Sequence, residues 1–272
     1  GSRPVGMRVG ISFVSVAQAR KNLSESAGLT FGEVRDRAGQ IWRQEMGKVR
    51  VSGGRKEDRR TFATALYHSL LEPSVQSDVN GLYRGQDLKV HRVAPGHAHY
   101  SDISGWDVYR SQIQLLAMIE PRRAADIAAS LLRMEKQGGC LPRWPYATQN
   151  SNVMNGDPSS PIIATIHALG VRGFDARDAL RAMVKGADHP CHSDNADYTE
   201  REALDDYLDL GWISQERNVT SGQHSVSERS SPWGTASTTM EYALADFTVS
   251  RLARALGRDQ LAARFLKRSG KW

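Results

Sequence analysis

The sequence predicts a mainly α fold, on three observations. After Thr30, apolar residues recur at helical spacing in one segment after another. Those segments are joined alternately by short turns and long polar loops. With 272 residues, 40% of them hydrophobic, the chain can also build a substantial core. Such alternation suggests helical hairpins arranged in a ring, with the long loops gathered at one end to build a site. The same pattern fits an irregular all-α domain, and no period is regular enough for a solenoid.

Only the beginning departs from helix. From Met7 to Val16 the sequence MRVGISFVSV alternates and is rich in β-branched residues, which predicts a strand. Thr30 to Glu33 has capping-box spacing and opens a helix in which Phe31, Val34, Ala38, Ile41, Trp42 and Met46 recur at helical spacing, ending near Lys48. A Gly53-Gly54 turn precedes a second helix, from about Asp58 to Leu71, that Pro73 stops. Two helices across a turn make a hairpin.

The stretch from Ser74 to Ser104 is long and polar, the kind of loop that is either functional or disordered. Helices then run from about Trp106 to Ile119 and from Arg122 to Gln137, divided by Pro121 and closed by Gly138-Gly139. A loop from Cys140 to Asn155 leads into a helix ending at Gly170. Further helices are expected from Asp175 to Ala187, Glu200 to Leu210, Ser237 to Leu256 and Asp259 to Lys267, with a Ser-rich loop from Ser214 to Thr235.

Composition narrows the function classes. The net charge of +6 is spread along the chain rather than gathered in a run, so it reads as a solvated basic surface and not as a nucleic-acid site. No stretch approaches the ~20 consecutive apolar residues of a membrane span. No signal-peptide pattern is visible at the start, although Gly1-Ser2 reads like a cloning remnant or an internal cut. Cys140 and Cys191 fit neither a metal spacing nor a disulfide framework, which leaves the redox compartment open. His91, His97, His99, His167 and His192 lack zinc-ligand spacing and read as solvated loop side chains.

Chemistry concentrates at three loop-to-helix junctions and at one helix start. Glu241 stands among Met240, Tyr242, Ala243 and Leu244. A carboxyl removed from water holds a proton more readily, as a general acid must. The competing reading is a capping box, with Ser237, Thr238 or Thr239 as N-cap and the glutamate reciprocating. In Gly105-Trp-Asp-Val-Tyr-Arg110, Asp107 and Arg110 stand three apart on one helical face, placed to bond each other or a shared ligand, with Trp106 beside them for a sugar face. A surface salt bridge and a core tryptophan explain that motif equally well. Leu141-Pro-Arg-Trp144 is either a rigid loop presenting an aromatic ring or a packed loop. Asn155-Gly-Asp157-Pro158 fits an N-cap aspartate before a proline.

The ordered set RVGISFVS, FATALYHSLLEPS, DVNGLYRG, YSDISGWDVYRSQIQLLAMIEP, GGCLPRWPYAT, VMNGDPSSPII and TTMEYALADF resembles glycoside hydrolase family 92, the calcium-dependent exo-acting α-mannosidases. The resemblance covers nearly the whole chain. It implies an N-terminal β-sandwich followed by an (α/α)6 toroid, so that residues 1–29 are the end of the sandwich and a linker, and 30–272 an incomplete (α/α)6 catalytic domain. It implies removal of terminal α-linked mannose from glycans such as an N-glycan or mannan, with inversion. Inversion requires an acid and a base whose carboxyl groups are roughly 6.5 to 9.5 Å apart.

On that resemblance, Thr239-Met-Glu-Tyr-Ala243 matches the acid motif, with a volume-conserving methionine in place of leucine, and gives Glu241 the general-acid role. Trp106, Asp107 and Arg110 inherit contacts to the mannose, and Asp157 inherits a weaker one, because Pro158 stands where histidine is frequent. No base has a counterpart. Asp246, five residues beyond the acid, points to another helix face and is assigned to packing or solvent. A Ca2+ ion is implied, its ligands largely outside this sequence, as is a secreted or periplasmic location. Two other readings stay open: a truncated or inactive helical carbohydrate-binding protein, and another (α/α) toroid glycosidase or lyase. The expected behaviour of the isolated chain is weak calcium and mannoside binding with little turnover. Calorimetric titration and a mannosidase assay on these 272 residues check it, and robust hydrolysis overturns it.

Overall fold

The computed structural model describes residues 5–151, 153–193, 198–217 and 234–271. Its helices are α1 (Val16–Asn22), α2 (Phe31–Met46), α3 (Lys56–Ser69), α4 (Gly105–Asp107), α5 (Ile113–Ile119), α6 (Pro121–Gly138), α7 (Ser159–Ala168), α8 (Ala176–Asp188), α9 (Leu204–Asp209), α10 (Thr235–Ala255) and α11 (Asp259–Ser269). A single turn of π-helix, Val108–Gln112, joins α4 to α5. The mainly α expectation holds.

Local signals account for most helix ends. Thr30 Oγ1 accepts from the Glu33 amide while Glu33 accepts from the Thr30 amide, so α2 opens with the expected capping box. Pro121 stands in the first turn of α6, and Gly139, at φ +87°, ends it in the left-handed conformation that glycine adopts freely. Asp175 caps α8 through the amides of Arg177 and Asp178. The α6 and α8 helices bury one face each, and α5, α6, α7, α8, α10 and α11 enclose the main core. Ile113, Leu116, Ile127, Leu131, Ile162, Ile166, Met183, Val249 and Phe265 meet there without solvent exposure. The longest helix, α10, packs against α7 on one side and α11 on the other.

Three expectations need correction. The stretch 7–16 is not a strand: residues 7–15 have no regular structure, and α1 begins at Val16. Met7, Val9, Ile11 and Phe13 do alternate, but all four are exposed, and alternation makes a strand only where a neighbouring strand takes up its amides. The stretch 74–104 is not a plain loop, since it carries two antiparallel ladders. In one, β1 (Ser74–Val75) pairs with β4 (Tyr100–Ser101); in the other, β2 (Leu82–Arg84) pairs with β3 (Val90–Arg92). His99 within it is buried, stacked 3.9 Å from the Tyr83 ring, and burial, with Arg133 and His91 nearby, lowers its pKa to about 3. It is a neutral core group rather than a solvated histidine.

The third correction concerns the cysteines. Cys140, just after α6, and Cys191, just after α8, form a disulfide whose Cα atoms lie 5.8 Å apart. Their separation of 51 residues fits no short framework, so only the pairing of α6 with α8 brings them together. Short ladders follow each half: β5 (Pro145–Tyr146) with β6 (Gln149–Asn150), and β7 (His192–Ser193) with β8 (Tyr198–Thr199). The bond therefore ties two loops that lead toward the same end of the helices. Replacing both cysteines with serine is expected to lower unfolding free energy by about 4 kcal/mol in the chain-entropy account. Urea denaturation of the variant against the oxidised parent measures it, and reduction of the parent should reproduce the loss.

Candidate active site

At the end of the helices where these loops gather, Glu241 meets the first motif of the chain. Trp106 Nε1 donates to Glu241 Oε1 at 2.9 Å. The Tyr109 hydroxyl lies 2.9 Å from Oε1 and 2.8 Å from Oε2. Arg110 Nη2 completes the set at 3.4 Å from Oε1. Residues 106, 109 and 110 share one helical face, so one segment supplies all three partners. Burial and the hydrogen bond to Glu241 push the Tyr109 hydroxyl's pKa well above its ordinary value. The Arg110 guanidinium is half exposed and lies 4.8 Å from the Trp106 ring centroid, which makes a cationic and aromatic edge beside the carboxylate.

The capping reading of Glu241 does not survive. The N-cap of α10 is Gly234, and Glu241 stands almost two turns inside the helix. Its surroundings also differ from the expectation: Met240 and Leu244 are exposed, and the neighbours that define its carboxylate are hydrogen-bonding groups rather than apolar ones.

The other expected residues fall in two places. Asp107 is exposed and accepts from Ser104 Oγ; Arg110 bonds the Trp106 carbonyl at 3.0 Å and Glu241, so the i, i+3 pair leaves its members unjoined. Asp157 is buried. Its Oδ2 accepts from Arg201 at 2.9 Å and from Ser160 at 2.9 Å, directed into the protein interior.

Sequence reasoning missed two arginines that build this end of the molecule. Arg201, with no solvent exposure, bridges Asp157 and Asp246, its Nη1 donating to Asp246 at 2.9 Å. Asp246 also accepts from the Tyr207 hydroxyl at 3.0 Å and from Arg268 Nη2 at 2.9 Å. It is thus neither packing filler nor a solvated group but the centre of an ionic cluster. Burial alone would disfavour the Arg201 charge, yet the adjacent Asp246 and Asp157 outweigh it and raise its pKa. Arg143, equally buried, donates to the carbonyls of Gly156, Met154, Thr199 and Glu200 at 3.0 to 3.3 Å. No local pattern signals a buried arginine. Tyr109 had a signal, its i, i+3 and i+4 spacing with Trp106 and Arg110.

Two glycines permit the convergence. A Cβ on Gly105 would come within 2.3 Å of the Arg143 carbonyl oxygen and 2.4 Å of the Pro158 ring, so α4 can start there only without a side chain. Gly156, at φ +85°, lies where a Cβ would stand 2.7 Å from Glu241 Cβ. The three loop motifs are thereby pressed onto one another and onto α10.

Among the described residues, the one group with metal-ligand geometry is Cys140, Cys191 and Glu200. Its sulfurs are joined in the disulfide, and two sulfurs with one carboxylate suit no hard cation. That group therefore does not fit a calcium ion.

The helical arrangement gathers its loops around one enclosed glutamate, the layout of a helical catalytic or binding domain. The model of the glycosyl hydrolase family 92 catalytic domain matches residues 18–272, and the chain belongs to that family. An uncharacterized secreted glycosidase of Arthroderma benhamiae is 24% identical over 278 residues, covering 100% of this chain and 30% of that protein. A family 92 α-mannosidase of Bacteroides thetaiotaomicron, solved with mannoimidazole, superposes with a TM-score of 0.83 at 28% identity, over 96% of this chain and 31% of its own. An inverting family 92 mannosidase from the same bacterium shares the fold, with a TM-score of 0.82 at 24% identity over 96% of this chain and 33% of its own. The chain spans about a third of the length of these relatives.

The Gly156 contact can be tested against Gly170, which also has positive φ, +86°, but open space around it. Alanine at either position should cost about 1–2 kcal/mol from the left-handed backbone alone. Only Gly156→Ala should also shift the indole N–H resonance of Trp106 in NMR, because only it displaces Glu241.

Proposed function

We propose that the protein removes terminal α-linked mannose from glycans by an inverting mechanism, with Glu241 as the general acid. The observation that carries this is the enclosure of Glu241 by Trp106, Tyr109 and Arg110, on a chain of this family whose structural relatives include α-mannosidases. In the proposed step the carboxyl proton passes to the departing glycosidic oxygen as its bond to the anomeric carbon breaks. Water adds to that carbon from the opposite face and loses its proton to a base. We assign no base among these residues, because Asp246 is committed to Arg201, Tyr207 and Arg268.

In this reading the exposed edge of Arg110 and the Trp106 ring receive the sugar, the ring by its face and the guanidinium by hydroxyls. Asp107, exposed beside them, is the further acceptor on that edge. Asp157 acts from behind by holding Arg201. We propose a Ca2+ requirement for the protein as a whole, with no step drawn through the ion. A secreted location is proposed from the name of the Arthroderma benhamiae relative and from the disulfide, which persists in oxidising compartments. Glycosidase activity in the presence and absence of a calcium chelator tests the metal requirement.

Glu241→Gln in the full-length protein tests the acid. It should lower kcat on alkyl or sugar mannosides, whose leaving oxygen needs the proton, by about 10²-fold or more, and spare activated aryl mannosides. Equal loss on both substrate classes would remove Glu241 from the acid role.

A further inference from the structure

Of the three groups around Glu241, two can only donate. The indole Nε1–H of Trp106 and the guanidinium of Arg110 have no lone pair to offer, and both are directed at Oε1. They are satisfied whether or not Glu241 is protonated, provided that Oε1 remains an acceptor. That leaves Oε2 as the oxygen able to carry a proton.

Tyr109 is different. A phenol has one proton and two acceptor positions, and its oxygen stands almost equidistant from the two carboxyl oxygens, at 2.9 and 2.8 Å. Against a carboxylate, that single proton can serve only one of the two contacts at a time. Against a neutral carboxyl both contacts close at once: Oε2–H donates to the phenol oxygen while the phenol O–H donates to Oε1. We infer that Tyr109 is the positioning residue that holds the protonated form of Glu241, with the proton on Oε2. After that proton leaves, the phenol proton can close only one of the two contacts, so the second is lost with it. The inference rests on the acid role proposed for Glu241 and adds which neighbour serves each protonation state.

The arrangement of Tyr109 is not a by-product of ordinary helix packing. It lies in the π-helical turn Val108–Gln112, and such turns widen a helix at functional positions. Its neighbour in sequence, Val108, is buried in the core and anchors the turn.

The test separates acceptor from donor by the sign of a shift. In the 272-residue chain, the carboxylic-acid carbonyl band that Glu241→Gln removes can be followed by infrared spectroscopy across a pH titration. Trp106→Phe deletes a group that can only donate, to Oε1 and toward the Tyr109 oxygen, and should make the band persist to higher pH. Tyr109→Phe deletes the acceptor for Oε2–H and should make it vanish at lower pH, by about half a unit or more. If Tyr109→Phe moves the band in the same direction as Trp106→Phe, or leaves it in place, the inference is overturned. Should the phenylalanine variant fold poorly, Tyr109→Leu also removes the phenol oxygen, and the same downward shift is expected. This readout needs no hydrolysis. Failure of the acid assignment appears separately, in the leaving-group dependence of Glu241→Gln.

Discussion

The buried guanidinium of Arg201 is the interaction on which the site depends. It bridges Asp157, in the loop before α7, and Asp246, in the middle of α10, with none of the three groups exposed beyond a few per cent. Withdrawing such charges from water is costly, so the bridge is weak evidence for stability as such. What it supplies is geometry. The planar fork of arginine fixes two carboxylates at defined angles, and losing either one would strand a buried charge at a cost of about 3–5 kcal/mol. With α10 and the 155–158 loop locked together, Gly156 lies against Glu241 and the carboxylate cannot swing toward the loop. Arg143 performs the complementary task, paired with Glu202 at 3.5 Å and gathering four carbonyls that the irregular backbone would otherwise leave unsatisfied.

The chemistry divides the carboxylates of this region by their partners. Asp246 and Asp157 each accept from a guanidinium inside the protein, a charge-assisted contact that fixes their position. Glu241 faces a phenol, an indole and only the far edge of a guanidinium, at 3.4 Å and half exposed. A carboxyl that must give up a proton and regain it in each cycle is served better by partners that tolerate both forms than by a buried cation. The same α10 helix thus carries, five residues apart and on different faces, one carboxylate suited to structure and one suited to proton transfer.

How much of this was legible follows from the range of each interaction. The capping box at Thr30, and Pro121 and Gly139 at the two ends of α6, are written within a few residues, and each was read from local signals. The 7–16 alternation misled because a strand is a relation between two segments and only one was visible. Cys140 and Cys191, 51 residues apart, met only through packing of their helices. His99 gave no sign of burial, because that depends on the ring of Tyr83 in β2 and on Arg133 from α6. Glu241 was identified by motif resemblance, yet the reason first given for it, apolar neighbours along the chain, was not the one the structure supplies.

The difference between those two reasons matters for how a glutamate in a helix should be read. Sequence neighbours at i±1 point to other faces of a helix, and here Met240 faces solvent while Tyr242 faces the core and donates to the Glu202 carbonyl at 3.0 Å. Neither governs the carboxyl. Its environment comes from residues 131 to 135 positions earlier in the chain, carried on a segment whose own i, i+3, i+4 pattern already grouped an indole, a phenol and a guanidinium on one face. The informative signal was therefore the grouping at 106, 109 and 110, an indole, a phenol and a guanidinium on one face of one segment. Such a face needs a buried or half-buried acceptor from elsewhere in the fold. Glu241 is the group that meets that need.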